Sequence, residues 1–231
     1  MYVIVPAAGV GSRFVPGSNK PFHTISGRPM LYWVLRAFDQ HPDVSEVIPS
    51  VKESDMTAVL AMAKSYGLNK VTRAAIGGAE RQDSINNALK LIKSERKALV
   101  LVHDAARPFV DDGIIDRVIE GIAGHDGCIA AVPAKDTIKQ TNKAGIVTRT
   151  PDRSTMWQVQ TPQGFALATL KRAYREAMGE GFYSTDDSAL VERMGGKVKV
   201  VMGSYDNIKL TTPEDITIAE EIMHRQRRAK P

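Results

Sequence analysis

The residues best suited to chemistry gather near the start of the chain, at Pro6-Ala7-Ala8-Gly9-Val10-Gly11-Ser12-Arg13, with Lys20 shortly after. A short apolar run, Tyr2-Val3-Ile4-Val5, leads into them and reads as a buried strand. A strand that breaks into small residues lets backbone N–H groups close around a ligand, and phosphate is the usual guest. Arg13 and Lys20 add mobile positive charge beside that loop. No Gly-Lys-Ser/Thr follows, so this is not a Walker loop. A dinucleotide fingerprint wants a third glycine where Phe14 stands, and an acid ending the second strand, for which Glu53 is a poor match. The expectation is a nucleotide-phosphate site.

Three further groups carry reactive or binding side chains. Gly77-Gly78-Ala79-Glu80-Arg81-Gln82-Asp83-Ser84 offers a glycine pair that admits a ligand against the backbone. Ser84 is expected to open and cap the next helix and to meet a polar base edge; a plain turn with a cap explains the same residues. Leu101-Val102-His103-Asp104-Ala105-Ala106-Arg107-Pro108 puts Asp104 at the end of an apolar run, where an unpaired carboxylate is costly without a purpose. That purpose is a ribose hydroxyl or a divalent cation on phosphates, with a salt bridge to Arg107 as the structural alternative. His103 reads as a packing histidine, since no second metal-type residue is suitably placed. Asp136-Thr137-Ile138-Lys139, Asp152-Arg153 and Asn207-Ile208-Lys209 each offer charge or hydroxyls to an anion, while Lys139 and Arg149 read by default as a solvated face.

These groups sit at the ends of elements that alternate in type. Strands are expected at Tyr2–Val5, Val44–Val51, Val71–Ile76, Ala98–Val102, Cys128–Val132 and Val198–Met202. Helices are expected at Met30–Phe38, Met56–Tyr66 with Gly67 as its stop, Ile85–Ile92, Ile114–Ile122, Leu167–Met178, Asp186–Met194 and Pro213–Gln226. The last is announced by Thr212-Pro213-Glu214-Asp215, a capping residue, a proline and two acids. Such βα alternation with apolar strands implies a mostly parallel α/β sheet flanked by helices. Its ligands gather at the carboxyl ends of the strands. The rhythm breaks between about Pro133 and Trp157, where Thr137–Gln140 and Ile146–Arg149 read as a hairpin around the turn signal Asn142-Lys143-Ala144-Gly145. A two-stranded ribbon is marginal alone, so a second subunit is the expected support.

Composition bounds the rest. At 231 residues the chain suits one large domain or one with a small extension. Its 43% hydrophobic and 25% charged residues are ordinary for a soluble globular protein. No apolar run suits a membrane helix and no signal peptide is visible. The single cysteine, Cys128, excludes an internal disulfide, fits a reducing cytoplasm and reads as a buried thiol among Ile129, Ala130 and Ala131. The net charge of +5 is spread along the chain apart from the basic tail at 224–230, and an anionic small molecule explains it as well as nucleic acid would.

Taken in order and spacing, PAAGVGSR, GGAERQDS, LVHDAARP, PAKDTIK, TPDR, QTPQGF, STDDSALVE and DNIKLTTPED resemble the 2-C-methyl-D-erythritol 4-phosphate cytidylyltransferase family, from Val3 to Ala219. The resemblance implies a Rossmann-like nucleotidyltransferase fold in one domain over 1–231, with a protruding β-arm at about 133–157 that crosses to the partner in a homodimer. It implies CTP, methylerythritol phosphate and Mg2+ as ligands, with no nucleic acid or membrane partner. Arg13, Lys20 and Lys209 then stabilise charge during transfer. Pro6, Ala7, Ala8, Gly9, Gly11, Gly78, Ser84, Asp104 and Ala105 surround the nucleotide, with Asp104 near the phosphate-bound metal. Arg107, Thr185 and Lys209 serve the acceptor, joined by Thr137 and Arg153 from the neighbour's arm. Two positions depart from the family: Pro21 follows Lys20 and removes an N–H, and Ala79 stands where an acid is common. Ribitol-5-phosphate cytidylyltransferases are the nearest rival, although the stretch from Thr150 to Trp157 looks more like the erythritol group. A regulatory module without catalysis is disfavoured by the presence of both Arg13 and Lys20.

Overall fold

In the computed structural model, residues 1–9, 20–93 and 97–228 are described. Strand β1 (Tyr2–Pro6) is the expected apolar opening, with Val3, Ile4 and Val5 fully buried. A small hairpin, β2 (Thr24–Ile25) and β3 (Arg28–Pro29), turns at Ser26 and Gly27, both at positive φ. Then follow α1 (Met30–Gln40), β4 (Glu46–Val51), α2 (Met56–Ser65), β5 (Ala75–Ile76), α3 (Arg81–Leu91) and β6 (Leu99–Val102). The second half holds α4 (Asp112–Ile122), β7 (Gly127–Pro133), β8 (Gln140–Thr141), β9 (Val147–Arg149), β10 (Trp157–Ala166), α5 (Leu167–Gly179), α6 (Asp187–Arg193), β11 (Val198–Met202) and α7 (Glu214–Arg228).

The main sheet runs β11-β7-β10-β6-β1-β4-β5. β1 lies parallel between β4 and β6, β5 extends the parallel set, and β11 pairs in parallel with β7. Helices cover both faces, as the alternation requires. Val3, Val5, Val47 and Leu101 point to the layer of α1, α2 and α4, while Ile4, Ile48, Val100 and Val102 point to α3, α5 and α6. Burying each such Val, Leu or Ile is worth about 1.5–3 kcal/mol. α1 shows why its sequence is helical: Met30, Leu31, Val34, Leu35 and Phe38 form one buried stripe. The Asp111 carboxylate accepts the Ile114 N–H at 2.8 Å and so starts α4, and Gly67 at φ +67 follows α2. α7 packs separately on Ile25, Met30, Phe109 and Leu210. Cys128 is buried, which pushes its thiol up to about 11.

Four expectations need correction. β10 is absent from the expected strands, and it runs antiparallel between β6 and β7 inside the sheet. Its sequence WQVQTPQGFA lacks the apolar run of its neighbours, and a register shift between Val159 and Gln163 breaks its alternation. Second, α3 starts at Arg81, before the expected Ile85, with Glu80 as its cap. Asp83 reaches back to the Glu80 N–H at 3.0 Å, so Ser84 lies inside the first turn and does not cap it. Third, β5 is only Ala75–Ile76, because the residues before it serve cross-links: Arg73 forks onto Glu46 at 2.7 and 2.8 Å. Fourth, the hairpin strands are shorter than expected and pair only Gln140–Thr141 with Val147–Arg149.

Candidate active site

A cavity opens where β1, β5 and β6 end, which is where a parallel sheet collects ligands. Its wall contains Pro6, Ala7, Ala8 and Gly9 from the first loop, Lys20 and Pro21, Gly78 to Arg81 with Ser84, Asp104 to Ala106, and Lys209. Of the residues singled out from the sequence, Arg13 and Gly11 lie outside the described residues.

Two loops form one side of the cavity by interlocking. The Ala7 N–H donates to Ser50 O and the Gly77 N–H to Val51 O, both at 2.7 Å, so both loops hang from the end of β4. A Cβ on Gly77 would lie 2.2 Å from the Ala8 Cβ, and one on Gly78 would lie 2.2 Å from the Asp83 Cβ. Gly77 is therefore required by the approach of the two loops, and Gly78 by the way its own loop folds back on the first turn of α3. Ser84 Oγ accepts the Gly78 N–H and donates to Glu80 O, each at 3.1 Å. Its hydroxyl thus shapes the glycine loop from within.

The opposite side centres on Asp104, just past β6 and only 7% exposed. Arg81 Nε donates to its Oδ1 at 3.0 Å, and Lys209 Nζ lies 2.8 Å from its Oδ2. Burial alone would raise this carboxyl. The two cations outweigh it and hold Asp104 ionised well below the usual carboxylate range. Arg81 in turn donates from Nη2 to Asp187 Oδ2 at 2.7 Å, and the Tyr174 hydroxyl donates to Asp187 Oδ1. Burial would weaken the Arg81 charge, but Asp187 and Asp104 overcome it and raise its pKa. Burial and Asp187 together push the Tyr174 phenol well up. The site thus alternates in charge from Lys209 through Asp104 and Arg81 to Asp187.

The backbone around Asp104 is equally fixed. Its N–H donates to Thr161 Oγ1 at 3.0 Å. Asn207, fully buried, donates to Thr161 O at 2.8 Å and to Gln160 Oε1 at 3.3 Å, and the Leu210 N–H donates to Ala106 O at 2.8 Å. These bonds place Lys209 across from Asp104. The proposed alternative, a direct Asp104–Arg107 salt bridge, is corrected: Arg107 Nη1 donates to Asn207 O at 2.7 Å, and the direct partners of Asp104 are Arg81 and Lys209. His103 is the packing residue expected. It is fully buried, faces Arg107 O at 2.9 Å and Thr161 Oγ1 at 3.2 Å, and burial lowers its pKa to about 4.

Arg107, Thr137, Arg153 and Thr185 do not line this cavity. Thr137 and Arg153 are exposed on the excursion between β7 and β10, where Arg153 Nη1 donates to Lys135 O at 2.8 Å. Thr185 is exposed in the loop between α5 and α6. Sequence reasoning missed Arg81, Asp187, Tyr174 and Thr161. A signal existed for Arg81, a cation directly after the glycine loop, and for Asp187, the second of two acids opening a helix.

Among the described residues no cluster of three His, Cys, Asp or Glu side chains is arranged to hold a metal. Glu80 lies exposed in its lining, and the buried carboxylate the cavity offers is that of Asp104. That donor fits a hard cation carried in on a ligand's phosphates, which needs only one or two carboxylates from the protein.

Comparison with known proteins converges on one family. The family model for 2-C-methyl-D-erythritol 4-phosphate cytidylyltransferase (IspD) matches residues 1–225. A protein of that name from Bacillus cytotoxicus is 45% identical over 226 residues, covering 98% of this chain and 99% of its own length. Another from Bacillus velezensis is 43% identical over 222 residues, covering 96% and 94%. The crystal structure of 4-diphosphocytidyl-2C-methyl-D-erythritol synthase from Anaerococcus prevotii superposes with a TM-score of 0.86 at 31% identity, covering 97% of this chain and 96% of its own. These matches carry the erythritol and not the ribitol name. The chain belongs to the 2-C-methyl-D-erythritol 4-phosphate cytidylyltransferase family and is a nucleotidyltransferase.

Proposed function

We propose how this chain performs the reaction of its family, cytidylyl transfer from CTP to 2-C-methyl-D-erythritol 4-phosphate, which yields 4-diphosphocytidyl-2-C-methyl-D-erythritol and pyrophosphate for isoprenoid synthesis by the non-mevalonate route. The observation that carries the assignment is the convergence of Lys20, Asp104 and Lys209, from three distant stretches, on one cavity beside the small-residue loop.

A phosphate oxygen of the acceptor attacks the α-phosphorus of CTP, a new P–O bond forms, the bond to the β-phosphate breaks, and pyrophosphate carries away the electron pair. No covalent intermediate with the protein is needed, so placement and charge stabilisation do the work. Lys20 and Arg13 stabilise charge on the α-phosphoryl oxygens and the leaving group. Lys209, held ready by Asp104, meets the α-phosphate and the attacking phosphate. Pro6, Ala7, Ala8, Gly9, Gly11, Gly78 and Ser84 frame the nucleotide, and Asp104 and Ala105 lie along its ribose. Magnesium, when bound, neutralises the triphosphate, with Asp104 as the nearby protein carboxylate. Arg107 and Thr185 serve the acceptor.

The chain acts as one nucleotidyltransferase domain whose arm, about 133–157, crosses to a second copy and delivers Thr137 and Arg153 to the neighbour's site. Support comes from apolar side chains left uncovered by this chain's own helices: Ile146, Val147, Trp157, Val159, Val200 and Met202. Val159 and Met202 flank Ala131 in one row of the sheet. The reading places the enzyme in the cytoplasm, with no nucleic-acid or membrane partner; no described helix is long and apolar enough to cross a membrane.

Subunit exchange tests the shared site. Lys20→Ala and Arg153→Ala proteins, each nearly inactive alone at low acceptor concentration, are mixed in equal amounts and assayed for pyrophosphate release. Random pairing in a twofold dimer restores about a quarter of the sites. Absence of any recovery after proven exchange refutes the shared site. Release with ribitol phosphate but not with methylerythritol phosphate refutes the acceptor.

A further inference from the structure

We propose that Gln82 is a positioning residue for the acceptor: it ties the segment that carries Thr185 to the helical turn that lines the nucleotide cavity. The inference rests on the assignment of Thr185 given above.

The first turn of α3 divides its work between two directions. Arg81 and Ser84 line the cavity. Gln82 and Asp83 instead reach the loop between α5 and α6. Gln82 is only 3% exposed, and an amide so buried is costly unless both of its ends are bonded. Its Nε2 donates to Phe182 O at 2.9 Å, and its Oε1 accepts the Ser184 N–H at 3.0 Å. One side chain thus pairs with the main chain on both sides of Tyr183, as a neighbouring strand would. The Tyr183 hydroxyl donates to Asp83 Oδ1 at 3.0 Å, and Arg81 holds Asp187. Three consecutive residues of one turn therefore grip residues 182–187.

The gripped segment has little regular structure of its own. Residues 180–186 form neither helix nor strand, and Tyr183 and Thr185 are exposed. Beyond the Phe182 N–H, which still bonds back to Ala177 O at 2.8 Å, the main chain of Phe182 and Ser184 is held by the Gln82 amide. Thr185 is the next residue. Its position is consequently set from the cavity side of the molecule, through an amide that does not itself line the cavity. Loosening that amide disturbs acceptor binding while Arg81 and Ser84 keep the nucleotide wall.

The test is Gln82→Met, which keeps the size and removes both bonds. The KM for methylerythritol phosphate is expected to rise about tenfold while that for CTP changes by less than about twofold. Hydrogen exchange at the Ser184 amide is expected to accelerate, with the rest of α3 unchanged. Gln82→Glu retains an acceptor for the Ser184 N–H and should show slower exchange there than Gln82→Met; it carries the same comparison if the methionine variant does not fold. Unchanged Ser184 exchange, or an equal rise in both KM values, overturns the tie. Thr185→Val separates the two claims. If it has no effect while Gln82→Met raises the acceptor KM, the Thr185 assignment falls and the tie stands. If Thr185→Val raises that KM and Gln82→Met does not, the tie falls.

Discussion

At the cavity, Asp104 is 7% exposed, and both oxygens of its carboxylate are matched by cations. Between β7 and β10 every residue from 139 to 150 is exposed, although the composition is similarly small, polar and basic. The cavity is held by contacts between residues far apart in sequence: Arg81 to Asp187, Asn207 to Thr161, Gly77 against Ala8. The hairpin is held by its own turn, where Asn142 Oδ1 accepts the N–H groups of Ala144 and Ile146 at 3.0 Å. The difference teaches that folding of one chain completes the cavity side through long-range contacts, whereas the exposed hairpin rests on contacts made within itself.

The sharpest way to break the contrast is to remove a cation from the completed side. On the proposed mechanism Lys20→Ala should lower kcat by about 10²–10³-fold, since Lys20 is the described cation assigned to the charge of the transition state. Pyrophosphate release at saturating CTP measures this, and near-normal turnover would remove Lys20 from the mechanism.

The next effect is on stability against pH. His103 is buried with its pKa lowered to about 4, so the unfolded chain binds its proton first as the pH falls. The stabilisation is complete above about pH 6.5, the unfolded value, and is lost as the pH drops toward 4. That shift corresponds to roughly 3 kcal/mol. Denaturant unfolding at pH 7 and pH 4.5 should show the loss, and a His103→Asn variant should show a shallower slope over that window; parallel slopes would contradict it.

Gly77→Ala should cost about 1–3 kcal/mol, because its Cβ must displace Ala8 from the cavity wall. Calorimetric CTP binding should weaken along with the melting temperature. A stability loss with unaltered CTP affinity would separate the loop contact from the site.

The smallest effect belongs to the arm. Gly145 sits at φ +79, so Gly145→Ala strains the hairpin turn by about 1 kcal/mol. The turn lies outside the three buried clusters, and the main thermal transition should move by less than about 2 °C. A large shift would mean that the hairpin is part of the cooperative core after all.

Much of this arrangement is legible in the chain. The apolar strands ending at Pro6, Val51 and Val102 show themselves because both of their faces are buried. The cavity residues at their ends follow from that, together with the small-residue and glycine loops. β10 stayed hidden because Gln160, Thr161 and Gln163, though buried, are polar and serve as struts for Asn207, Asp104 and Asp186. Arg81 and Asp187 escaped for a related reason. Each is an ordinary surface residue type, and what offsets its desolvation is pairing, of one with the other across 106 positions and of each with Asp104 or Tyr174. Polar residues that become internal through distant partners leave no periodic trace.

The antiparallel insertion of β10 has a mechanical consequence. The arm departs along β7 and returns along β10, adjacent strands of the central sheet, so it is anchored as a beam is built into a wall. At that root Tyr205 donates to Pro133 O at 2.8 Å, and Asn207 grips Gln160 and Thr161. Two residues further on, Lys209 faces Asp104. A load applied at the tip of the hairpin is therefore conducted, through a stretch no longer than Tyr205 to Lys209, to the cation that faces Asp104 in the cavity.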